Sequence, residues 1–118
     1  MIIIGKMKTI NLGIAERLYL SVLLPCDGPN SPLLGTRLKF KLIADIASKL
    51  DFTPKEIEDC HIKEKGAGFI SFEDLVRIDL ELSDQQIDII KEGIEQADRE
   101  QRIQGKMMSV INKIESLV

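Results

Sequence analysis

Cys60 and His61 stand side by side, the one place in the chain where a thiol and an imidazole could cooperate as nucleophile and base. His61 is the only histidine, and the other cysteine is Cys26. Adjacent residues on a short helix or strand point in different directions, so a hydrogen-bonded dyad at these positions is geometrically awkward. Cys26, Asp27, Cys60 and His61 are the residues best suited to join a metal site. Neither cysteine belongs to a C-x-x-C pair, however, and one adjacent Cys-His pair lacks the spacing of three or four that aims two ligands at one ion. Gly66-Ala67-Gly68 has neither the following helix nor the lysine of a phosphate-binding loop. The carboxylates are interleaved with lysines on expected solvent faces, where ordinary pKa values follow. These residues predict a protein that is not an enzyme, with no metal, no cofactor and two free thiols in a reducing compartment.

The elements that would position any site come from an aliphatic chain of 118 residues, the length of one domain. It contains 18 Ile and 14 Leu against 4 Phe, 1 Tyr and no Trp, so stacking platforms for single-stranded nucleic acid are nearly absent. At 44% apolar and 30% charged, the composition excludes a disordered chain. No apolar run approaches the ~20 residues of a bilayer span, so no membrane association is expected. Met1-Ile2-Ile3-Ile4-Gly5-Lys6 is too short for a signal-peptide core and no small-residue cleavage site follows, which predicts a cytoplasmic protein. Residues 1–118 read as a single domain. Residues 1–7 are a candidate extension because Met7-Lys8 would serve equally well as a start, and residues 1–6 are expected to form a frayed end or a short edge strand.

Periodicity predicts a first helix over 14–24, with Ile14, Leu18 and Val22 on one face and Leu20, Leu23 and Leu24 widening it. Asn11 is the expected N-cap, and Pro25 stops the helix. Asp27-Gly28-Pro29-Asn30 is turn chemistry. Ser31-Pro32 then reads as a cap and first helical position, although Gly35 moves the expected start towards Thr36. The second helix should reach about Leu50, with Leu38, Leu42, Ile46 and Leu50 in one stripe. Thr53-Pro54-Lys55-Glu56 is a capping box opening a short helix. Two short extended runs around Gly66-Ala67-Gly68 suggest a hairpin, and Val76 to Leu82 alternates strictly, as a half-buried strand that would join it. Ser83-Asp84-Gln85-Gln86 caps another helix carrying Ile87, Ile90, Ile94 and Ala97. Ile103, Met107, Val110, Ile114 and Leu117 resume the period after a step of six, which divides the C-terminus into helices at about 84–99 and 104–117. The expected fold is α+β and mainly helical, a small two- or three-stranded antiparallel sheet followed by a C-terminal αα-hairpin.

The net charge of −3 is unevenly spread. Residues 1–50 carry 7 Lys/Arg against 3 Asp/Glu, and residues 51–118 carry 9 against 16. Arg37, Lys39 and Lys41 form a candidate basic surface for an acidic partner or a second copy. Helix, helix, short helix, hairpin is also the order of a winged-helix DNA-binding regulator, the alternative reading. Its recognition helix would be Pro54-Lys55-Glu56-Ile57-Glu58-Asp59, and three acids against one lysine would repel phosphates. Nucleic acid is therefore a poor partner. Met107, Met108 and Ile111 form a candidate interface, because Met adapts to irregular contacts and a homodimer through the last two helices would cover them.

Glu16-Arg17-Leu18-x-Leu20 ending in Leu24-Pro25, Phe52-Thr53-Pro54-x-Glu56 after a long helix, a β-segment leading into a helix, and a terminal Ile111-x-Lys113-Ile114 together resemble a group of small uncharacterised proteins encoded by tailed bacteriophages and prophages. The resemblance spans most of residues 8–117. It implies an origin, and with it action in the host cytoplasm, but no catalytic residues. The expected function is protein–protein contact, in particle assembly or in binding a host factor.

Overall fold

The computed structural model describes residues 7–28, 32–67 and 69–117. Strand β1 (Lys8–Gly13) leads directly into helix α1 (Ile14–Leu23). Helix α2 (Arg37–Leu50) and the short α3 (Pro54–Asp59) follow. A minimal hairpin of β2 (Lys63–Glu64) and β3 (Ile70–Ser71) precedes strand β4 (Arg77–Leu82). Helix α4 (Asp84–Arg99), a single 3-10 turn (Gly105–Met107) and helix α5 (Met108–Glu115) complete the chain. The architecture is α+β and mainly helical, with α4 and α5 packed on each other at the C-terminus.

Two sheets form instead of one. β4 pairs antiparallel with β1, setting Ile10 opposite Leu80 and Leu12 opposite Ile78, and the β2–β3 hairpin stands alone. The expectation that β4 joins the hairpin is thus corrected: the alternating Ile10 and Leu12 offer β4 an apolar edge, buried with Leu80 and Leu82 beneath the helices. The sequence signal of β1 is weak because its alternation lasts only from Lys8 to Leu12, too short to stand out beside the helical period that follows.

Helix starts follow local chemistry. Thr36, Thr53 and Ser83 each accept a hydrogen bond from the N–H three residues on, and Glu56 and Gln86 close capping boxes at the last two. α1 is different. Its N-cap is Gly13, not the expected Asn11, which instead bonds Asp79 across the sheet at 2.9 Å. The free N–H groups of Ile14 and Ala15 donate to the Asp74 carboxylate at 2.8 and 3.4 Å, a cap supplied from the loop before β4. A Cβ at position 13 would lie 2.8 Å from Asp74 Oδ1, so glycine makes room for that approach.

The core comprises Ile10, Leu12, Leu20, Leu23, Ile46, Leu80, Leu82, Ile90, Val110 and Ile114, among others. α4 crosses the end of α1 so closely that a Cβ on Gly93 would lie 2.0 Å from the Leu23 carbonyl oxygen. A glycine in mid-helix costs roughly 1 kcal/mol relative to alanine, and here it permits that contact. Residues 1–6, Pro29-Asn30-Ser31 of the expected turn and cap, and Gly68 of the expected hairpin turn lie outside the described residues.

Candidate functional site

Cys60 and His61 are separated by the end of α3. The N–H of Ile62 donates to the Ile57 carbonyl and that of His61 to the Glu58 carbonyl, a Schellman closure in which His61 takes the left-handed conformation at φ 49°. Cys60 caps the helix and is fully buried, whereas the His61 side chain is 64% exposed and faces Glu73 at 3.5 Å. Thiol and imidazole therefore occupy different environments, one inside the core and one in solvent. Cys26 is exposed beyond α1, where Gln96 bonds its backbone. Among the described residues, no group of three His, Cys, Asp or Glu side chains is arranged to hold a metal ion. None of the helices there is long and apolar enough to cross a membrane.

α1 buries the expected Ile14, Leu20, Leu23 and Leu24, but the rest of its inward face is charged and not the expected Leu18 and Val22. Glu16 and Arg17 are buried, while Leu18 is half-buried and Val22 is 54% exposed. The rotation is tolerable because both charges are matched. Arg17 donates to both Glu56 oxygens, at 2.5 and 3.2 Å, and to the Asp51 carbonyl, with its guanidinium 4.4 Å from the Phe52 ring centre. Glu16 accepts from the Gly13 N–H, Ser109, Arg77 and Lys113. Burial, the largest influence, pushes the Glu16 pKa up, but bonds from Lys113, Gly13 and Ser109 together hold it below the ordinary value of 4.5. The Arg17 bond holds Glu56 low, and bonds from Gln86 and Lys49 hold Asp45 low. The expectation of ordinary carboxylates throughout is corrected at these positions, because three of the acids are ties between elements.

The displaced apolar face of α1 contributes to a groove of about 360 Å³. Leu18, Tyr19 and Val22 form one wall, Phe69, Ile70 and Phe72 of the hairpin another, and Lys106 and Met107 close the end. Val22, Phe69 and Ile70 are 54%, 71% and 41% exposed, so three large apolar side chains converge there in contact with water. Among the described residues, Lys106 is the one charged side chain lining the groove, and its ammonium lies 5.6 Å from the Tyr19 ring centre.

The expected interface trio divides. Met107 and Ile111 are buried in the core, with Met107 also lining the closed end of the groove, and Met108 alone is well exposed, at 42%. Of the expected basic surface, Arg37 and Lys41 are exposed, and Lys39 is drawn aside by Glu92 at 2.8 Å. On α3, Lys55, Glu58 and Asp59 face solvent while Glu56 is held by Arg17, so the outward charge of that helix is acidic. The groove had only an indirect signal in the sequence. Glu16 and Arg17 share the helix face of Leu20, Leu23 and Leu24, so a helix that buries those leucines also buries the two charges and turns Leu18 and Val22 outward. No family model matches the chain, and no curated protein or solved structure matches it at a significant level.

Proposed function

We propose that this is a non-enzymatic protein that acts through protein–protein contact, with the groove between α1 and the β2–β3 hairpin as its docking surface. The observation that carries the reading is the convergence of exposed Val22, Phe69 and Ile70 on one concave surface. Solvated apolar side chains gathered in this way gain about 25 cal/mol per Å2 when a partner covers them. The lone Lys106 at the end suits a partner segment that is apolar and carries a carboxylate at its edge. Separation of Cys60 from His61 supports the non-enzymatic part of the reading. An origin among tailed-phage proteins and action in the host cytoplasm belong to the same proposal, as does a role in assembly or in binding a host factor. No observation favours the winged-helix alternative.

The test is capture from bacterial lysate on the immobilised chain, run beside Val22→Glu. Val22 is exposed, so the variant keeps its fold, and a polypeptide held by the original chain but lost by the variant is the expected result. Equal retention by both, or a saturable turnover abolished by Cys60→Ala, would overturn the reading.

A further inference from the structure

Two surfaces away from the groove carry opposite charge. On α2, Arg37, Phe40, Lys41 and Ala44 share one outward face at helical spacing, with exposed Leu38 at its edge and no acid in the first turn. The second surface lies in the cleft between α4 and α5. There Ile94, Ile103 and exposed Met108 are surrounded by Glu95, Asp98 and Glu115, and Lys91 stands where the cleft widens. Each is an apolar strip rimmed by a single prevailing sign.

The two faces cannot satisfy each other within one chain. α4 packs against α2 on one side and against α5 on the other. Ile89, which meets α2, and Asp98, in the cleft with α5, are nine residues apart and so point about 180° away from each other around the helix. A two-fold pairing of either face with its own copy would oppose like charges, Glu95, Asp98 and Glu115 in one case and Arg37 and Lys41 in the other. We propose that the chain associates head to tail, with the basic α2 face of one copy seated on the acidic α4–α5 face of the next. The uneven charge of the two halves of the sequence, +4 before residue 51 and −7 after it, is then the signature of a self-complementary molecule. A heterologous contact of this kind closes into a ring or extends as a filament instead of stopping at two copies. It is independent of the groove, and either proposal can fail alone.

Light scattering from micromolar to near-millimolar concentration, at low and at molar salt, tests it with Lys41→Glu and Glu95→Lys, both at exposed positions. The expected mass of the original chain rises past twice 13.3 kDa with concentration and falls back at molar salt, where charges are screened beyond about 3 Å. Each variant alone stays at 13.3 kDa. An equal mixture of the two restores association, because the intact basic face of one variant meets the intact acidic face of the other. A single-chain mass at every concentration, an assembly that stops at two copies, or a mixture that fails to pair would overturn the proposal.

Discussion

Arg17 is 2% exposed, and a carboxylate, a backbone carbonyl and an aromatic face hold its guanidinium inside this small core. Removing one partner of a buried pair leaves the other charge uncompensated, which costs about 3–5 kcal/mol. Arg17→Ala is therefore expected to lower the urea midpoint sharply, with Glu56→Ala close behind; a loss under 1 kcal/mol in either would show the pair to be idle. His61 presents the opposite case. Its left-handed backbone costs an L-residue roughly 1–2 kcal/mol that glycine avoids, and its side chain points to solvent. His61→Gly is expected to raise the denaturation midpoint; an unchanged or lowered midpoint would mean that the side chain's contact with Glu73 outweighs the backbone cost. Neither role was legible beforehand. A charged pair inside an apolar repeat, and a histidine at a position glycine usually fills, reveal themselves only through partners distant in sequence or through φ.

Helix starts were the most legible feature, because Thr53-Pro54-Lys55-Glu56 and Ser83-Asp84-Gln85-Gln86 carry their hydrogen-bond partners within four residues. The break between α4 and α5 was equally readable from the six-residue step after Ala97. There Gln101 adopts φ 55° and Arg102 donates to the Ala97 carbonyl. α1 shows the limit of local reading, since its cap comes from Asp74, about sixty residues away. Asp74→Ala is expected to cost about 1 kcal/mol and to speed hydrogen exchange at Ile14 and Ala15 while leaving the first turn of α4 unchanged. A uniform acceleration across both helices would instead mean that Asp74 supports the whole fold. β1 was hidden for a related reason: five alternating residues carry little information until β4 is seen beside them.

Across the whole molecule, Glu16 joins three elements, taking bonds from β4 through Arg77 and from α5 through Ser109 and Lys113. Its folded pKa lies below the ordinary 4.5, as does that of Glu56. The stability each contributes is complete above that value and is lost as pH falls through the depressed folded value. Stability to urea is therefore expected to decline below about pH 4.5, and Glu16→Gln should flatten part of that decline; an unchanged slope would remove Glu16 from the account. The candidate site was the least legible part of the molecule. Of the side chains that form it, Val22 reads as part of the buried face of α1 and Phe69 and Ile70 as an extended run of the hairpin, and they become one surface only when the helix is turned to bury Glu16 and Arg17. The proposed contact through that groove, without bond-making, is tested most directly by titration calorimetry with the captured partner. The prediction is at least a tenfold loss of affinity for Val22→Glu, about 1.4 kcal/mol, and no change for His61→Gly. An affinity indifferent to Val22 and abolished by His61→Gly would contradict it.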